Sequence, residues 1–138
     1  MEDKENKAQE IYMEFQAIEQ NIKQLQRQLD VVTHQLFELA STSQSLDEFK
    51  DVGAGKEVLV PLSSGIFAKA SIKNTSELLV NVGANIVVKK DVASAKKLVQ
   101  NQVEEIKKIQ KQTIDELEKM TSYAAQLEMK LQSMVSQG

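Results

Sequence analysis

Along the first part of the chain, apolar side chains fall at Ile11, Phe15, Ile18, Ile22, Leu25, Leu29, Val32, Leu36 and Leu39, with steps alternating strictly between four and three. A seven-residue repeat drifts around a straight helix. Keeping such a stripe against a partner forces a left-handed supercoil, so the spacing predicts a coiled coil. Lys, Glu and many Gln fill the positions between, as a solvated face requires. A second stripe runs through Val99, Val103, Ile106, Leu117, Met120, Ala124, Leu127, Leu131 and Met134, with Gln110 and Thr113 occupying two seam places at its middle. Polar seam residues lower stability and fix register, and Ile109 and Ile114 beside them are expected to rotate partly inward in compensation. Asp91 stands where an N-cap would accept a backbone hydrogen bond from the first turn of the second helix.

Between the stripes the period changes to two. Ile66, Ala68, Ala70 and Ile72 alternate with Phe67, Lys69 and Ser71, and Leu78, Val80 and Val82 alternate with Leu79 and Asn81. Turn residues at 63–65, 74–76 and 83–85 divide this segment into four strands near 57–62, 66–73, 77–82 and 86–90, which make two hairpins. Four of the five glycines and the only proline lie between Gly53 and Gly83, so neither flank carries a strong helix breaker. The predicted organisation is a coiled-coil helix over 1–52, two hairpins over 53–91 and a second coiled-coil helix over 92–138, together one domain. The fold class is mainly α with a small β insert. Each flank offers about 45 helical residues, an arm on the order of 65–70 Å, and comparable lengths imply that the helices run antiparallel, with Ile11 and Phe15 near Leu127 to Met134. The hairpins carry apolar residues on nearly both faces, as at Leu59, Phe67, Leu79 and Val87, more than so short a segment can cover. Val58, Val60, Leu62, Ile66, Phe67, Leu78, Val80, Ile86 and Val88 are therefore the candidate oligomerisation surface.

Composition narrows the functional classes. Aromatics are 4% of the 138 residues, too few for a broad core, and the absence of cysteine removes disulfide and thiolate chemistry and agrees with a reducing, cytoplasmic setting. The net charge is −3, with ten acidic and five basic residues in positions 1–50, which argues against a nucleic-acid partner. No apolar run approaches the roughly 20 residues of a membrane span, and the first ten residues lack the pattern of a secretory signal. His34 is the only histidine, read as a surface residue, so no metal site is expected. Glu104-Glu105 and Asp115-Glu116 point in different directions on a helix, and Gly53-x-Gly55 lacks the pattern of a phosphate loop. No catalytic residue, cofactor or enzymatic activity is expected. Lys107, Lys108 and Lys111 form a small basic stretch, read as a solvated face able to pair with an acidic helix, such as residues 1–19 of this chain or one of a partner.

The order long helix, two hairpins, long helix, together with VLVPLSSGIFAKASI at 58–72, SELLVNVGANIVVKK at 76–90 and DVASA at 91–95, resembles an alpha-class prefoldin subunit of the two-hairpin, archaeal type. The departure is at Asn85 and Ile86, where family members often carry a second glycine and an aromatic. The resemblance implies a jellyfish-shaped hetero-hexamer of two alpha-class and four beta-class subunits. In it, hairpins from all subunits form a double β-barrel hub and coiled-coil arms hold unfolded client proteins at their tips. It further implies a cytosolic chaperone that uses no ATP and passes clients to a group II chaperonin.

Such a holdase needs adaptable, exposed apolar surface. Tyr12, Met13, Met129 and Val135 lie off the seams near the tip, and Ile11, Phe15, Leu131 and Met134 lie on them where a coil frays. These eight are the candidate client-contact residues. Val31, Phe37 and Leu98 are also off the seams, and are expected to pack on the sheet or a neighbouring subunit. The alternative is a structural coiled-coil subunit that polymerises through its hairpins into a filament or scaffold.

Overall fold

In a computed structural model, which describes residues 2–136, the elements follow in the order α1 (Glu2–Val52), β1 (Glu57–Ser63), β2 (Ile66–Ser71), β3 (Leu78–Gly83), β4 (Ile86–Lys90) and α2 (Val92–Ser136). The chain forms two compact units, one drawn from residues 2–35 and 106–136, the other from residues 36–105. Both helices contribute to both units.

In the first unit the two seams meet. Ile18, Ala124 and Leu127 are buried together, with Ile11, Phe15, Ile22 and Met120 packed around them. Leu127 and Ala124 thus lie among residues from the start of α1, as an antiparallel pair demands. The Tyr123 hydroxyl donates to the Glu14 carboxylate. Closer to the other end of the unit, Gln110 donates from Nε2 to the Thr33 hydroxyl at 3.5 Å. Numbers that rise along α1 fall along α2.

The polar seam residues do lie inward. Thr113 is only 3% exposed, and its hydroxyl donates to the carbonyl of Ile109 at 2.8 Å, so the buried oxygen is satisfied within its own helix. Ile109 and Ile114 do not rotate inward: they remain 44% and 38% exposed. Thr113 and Gln110 already fill the two seam places. An α-helix advances about 100° per residue, so admitting a neighbour would turn its seam residue out. Nor does the basic stretch face residues 1–19. Gln110, beside Lys107, Lys108 and Lys111, lies against Thr33.

In the second unit the α1 stripe continues past Leu39, in the same rhythm, through half-buried Ser43 and Leu46, with Phe49 also half-buried one turn further on. At the start of α2, Val92, Ala95 and Val99 are buried. Asp91 caps α2: the backbone N–H of Ser94 donates to its carboxylate at 2.7 Å. Hydrogen bonds from the Ser94 side chain and backbone, in that order, hold this carboxyl below its ordinary 3.8. Lys96 pairs with Asp47, an exposed bridge of the kind worth at most about 1 kcal/mol.

Each hairpin is its own two-stranded antiparallel sheet. In the first, Val58 pairs with Ala70, Leu59 with Lys69, Val60 with Ala68 and Pro61 with Phe67. In the second, Leu79 pairs with Lys89, Val80 with Val88 and Asn81 with Val87. Both registers slip by one residue just before the turn, at Leu62 and at Val82, and both turns are two residues long, Ser64-Gly65 and Ala84-Asn85. The two hairpins are the same device used twice, twenty positions apart: Leu59-Val60, Ile66 and Lys69 recur as Leu79-Val80, Ile86 and Lys89. Beyond the first ladder, Gly55 N–H donates to the carbonyl of Ile72 and Ile72 N–H to that of Lys56, at 2.7 and 3.1 Å. The second turn has both central residues at positive φ, Ala84 at 50° and Asn85 at 60°, the type I′ geometry whose twist suits a hairpin. Asn tolerates that region; alanine does so only at a cost.

Candidate interaction surfaces

The strand period sorts the hairpin side chains into two faces. Val58, Ala68 and Ala70 of the first hairpin, and Leu78, Val80 and Val88 of the second, are half-buried. On the other face Leu59, Phe67, Leu79 and Val87 stand in solvent, each more than half exposed. Near the turns Leu62, Ile66, Val82 and Ile86 are exposed as well, so both hairpins end in bare apolar groups. Of the nine predicted oligomerisation residues, Val60, Leu62, Ile66, Phe67 and Ile86 are exposed, whereas Val58, Leu78, Val80 and Val88 are partly covered.

Sequence reasoning left Leu59, Leu79, Val82 and Val87 out of that surface. The twenty-residue repeat would have pointed to Val82 and Val87, because they occupy in the second hairpin the places of Leu62 and Phe67 in the first. Each ladder also has two free edges, since neither hairpin pairs with the other. Unpaired backbone edges flanked by apolar side chains invite further strands.

In the first unit, Tyr12, Met13, Met129 and Val135 are 52–78% exposed, far more than their seam neighbours. The other four predicted contacts, Ile11, Phe15, Leu131 and Met134, are half-buried in the seam and present only part of their surface. The Tyr12 hydroxyl accepts a hydrogen bond from Gln16 Nε2 at 3.1 Å, and the residue remains about half exposed. Tyr123, also exposed, is committed to Glu14, and that hydrogen bond raises its ionisation above the ordinary 10.0. Val31 and Phe37 are not packed on other parts of the chain: they are 58% and 72% exposed, while Leu98 is half-buried.

Among the described residues no group of three or more His, Asp or Glu is placed to hold a metal ion. Among them, too, no helix is long and apolar enough to cross a membrane. The depressions along the coil are shallow grooves beside the seam. What the chain offers is surface: strand edges and apolar faces on one unit, off-seam apolar side chains on the other. This is the class of coiled-coil protein that acts by association.

Comparison with known proteins places it within that class. The family model described as "Prefoldin subunit" matches residues 18–137. The prefoldin subunit alpha of Thermofilum pendens is 33% identical over 67% of this chain and 71% of its own length. That of Archaeoglobus fulgidus is 28% identical over 92% of this chain and 93% of its own. Among solved structures, filamentous PFD from Methanocaldococcus jannaschii, determined by cryo-EM, superposes with a TM-score of 0.64 at 19% identity, covering 94% of this chain and 99% of that one. At that identity the likeness is one of fold. The chain belongs to the prefoldin family, a family of non-enzymatic chaperones, and to its alpha class.

Proposed function

We propose that this chain is the alpha-class subunit of an ATP-independent holdase. It assembles with beta-class subunits as a hexamer of two alpha and four beta through the segment 53–91, captures unfolded polypeptides at the end of its coil, and delivers them to a group II chaperonin in the cytoplasm. The observation that carries this reading is the exposure of Tyr12, Met13, Met129 and Val135 in the unit that contains the beginning of α1 and the end of α2. A coil that only needed to pair its helices would place polar residues there. Two of the four are methionines, whose unbranched thioethers adapt to partners of varied shape. Single contacts of this kind are weak, and several arms acting on one client would supply avidity.

The exposed apolar face and free edges of both hairpins support assembly through strand pairing with sister chains. The test has two readouts. Changing Tyr12, Met13, Met129 and Val135 together to Ser should leave the assembled mass unchanged and abolish suppression of aggregation of a chemically unfolded client. Undiminished suppression by an intact assembly would overturn the client assignment.

A second reading has its own support. The fold neighbour from Methanocaldococcus jannaschii is filamentous, and the free hairpin edges here would equally serve open-ended pairing. Mass in solution separates the two: a closed hexamer with beta-class subunits favours the holdase, and a concentration-dependent distribution of lengths favours the filament.

A further inference from the structure

In an antiparallel pair of heptad helices, one flank of the seam is built from the e positions of both helices and the other from the g positions. Tyr123 and Glu14, which are hydrogen-bonded, are both g residues, so this arrangement holds in the first unit. The two flanks are chemically different. On the g flank, from Lys7 to Gln28 of α1 and from Ile109 to Lys130 of α2, Lys7 and Lys130 balance Glu14 and Glu116, and Tyr123 is engaged by Glu14. On the e flank, from Glu5 to Gln26 and from Ile114 to Val135, three carboxylates, Glu5, Glu19 and Glu128, have no basic residue at an equivalent position. Along α1 they alternate with an apolar group: Glu5, Tyr12, Glu19. Along α2 Glu128 precedes Val135 by one heptad.

The e flank also contains a groove of about 440 Å³. Phe15, Ile22 and Ala124 line its floor, and Glu19, Glu128 and Lys23 stand among its other lining residues. Ala124, whose side chain ends at its Cβ, is the smallest of the seam residues that line it. None of Glu5, Glu19 and Glu128 forms an ion pair within the chain among the described residues.

We propose that this flank is a binding face for extended polypeptide segments in which apolar side chains alternate with Lys or Arg. An apolar residue enters the groove or stacks on Tyr12, and its cationic neighbours reach Glu5, Glu19 and Glu128. The proposal rests on the holdase reading and gives it a client chemistry. The other flank, charge-balanced and with its tyrosine already hydrogen-bonded, lacks this complementarity.

The probes are peptides of about ten residues, matching an e flank of roughly 30 Å at about 3.3 Å per extended residue. They alternate Leu with Lys, with Gln or with Glu, and their binding to the full chain, in the oligomer it forms, is read by fluorescence anisotropy. Three exposed charge pairs, each worth a few-fold at most, multiply to a preference of about tenfold for the Lys peptide over the Glu peptide at low salt. Raising the salt to about 1 M shortens the screening length to about 3 Å and should erase most of that preference.

Glu19→Gln with Glu128→Gln should remove the preference while leaving the Gln peptide unaffected, and Glu14→Gln with Glu116→Gln should not change it. Equal binding of all three peptides at low salt, still weakened by Tyr12→Ser, would overturn the charge complementarity and leave the holdase reading standing. Failure of the folded chain to bind any of the three would overturn both. Equal loss from the g-flank pair would overturn the assignment to the e flank.

Discussion

The middle of α2 offers the clearest test of the seam's energetics. Gln110 and Thr113 occupy seam positions, one half-buried and the other enclosed. The Gln110 bond to Thr33 is 3.5 Å long, at the limit of a hydrogen bond, and contributes little. The Thr113 hydroxyl is satisfied by the Ile109 carbonyl, so it costs little to keep. Gln110→Leu replaces a flexible polar chain by one worth 1.5–3 kcal/mol when fully buried, so a half-buried site should gain about 1 kcal/mol. Thr113→Val substitutes a methyl for a bonded hydroxyl in the same volume and should gain less, about 0.5 kcal/mol. A chain of this size shifts its melting temperature by roughly 4 °C per kcal/mol, so the double variant should melt about 6 °C higher, read by circular dichroism at fixed concentration. The second effect is on specificity: a continuous apolar seam loses the polar mark that fixes register, so helix pairing should become less unique. A melting temperature that falls in the double variant would refute the reasoning, because it would mean that the Gln110 to Thr33 contact stabilises the coil by more than an apolar seam does.

Leu127→Ala removes the most enclosed large side chain in the cluster with Ile18 and Ala124, and should cost about 2–3 kcal/mol in chemical denaturation, the low end for a core leucine because the seam is thin. Ala84→Asn relieves an alanine at φ 50° in a type I′ turn and should stabilise the second hairpin by about 0.5–1 kcal/mol, seen as slower hydrogen exchange of the Val80 and Val88 amides. Asp91→Ala removes the cap of α2 and should lower the melting temperature at pH 7. Because the folded pKa of Asp91 lies below its ordinary 3.8, the stabilisation is present above that value and is lost as the pH falls through the lower folded one. The gap between native and variant should therefore close in acid, and a gap that persists at pH 2 would show that the cap does not act through the ionised carboxylate.

The two helices were legible because a heptad repeat is a long signal: nine apolar positions in strict rhythm specify both the helix and the side it buries. The ends of the seams were less legible for a physical reason. At Ser43 a polar residue interrupts the stripe, although Leu46 resumes it, and at the start of α2 the buried residue is Ala95, one position before the place, Lys96, that the rhythm of the rest of the helix would give. The steps from Val92 to Ala95 and from Ala95 to Val99 are three and four where strict alternation would give four and three, a local offset that a pattern anchored on the later heptads does not extend across. The hairpins show the complementary case. Alternation located the strands to within two residues, but in a strand with apolar groups on both faces it cannot say which face is covered.

That ambiguity bears on how the protein works. Val58, Val80 and Val88 are half-buried, and Leu59, Phe67, Leu79 and Val87 are bare on the opposite face, although the residue types hardly differ. The helices stabilise themselves by matching one apolar stripe to another, and a side chain off the seam gains nothing from that pairing. Apolar residues kept off it, Tyr12 and Met13 in one unit and Leu59 and Leu79 in the other, therefore lower no energy in the isolated chain. Their stabilisation is realised only when something else covers them. The strand edges beside Leu59 and Leu79 offer a regular, hydrogen-bonded template, which suits a lasting partner of matching geometry. Tyr12 and Met13 stand on a helix whose backbone groups are already paired, so only side-chain contact is available there. Such contact is adaptable, tolerant of sequence and readily reversed, as capture and release of varied chains would require.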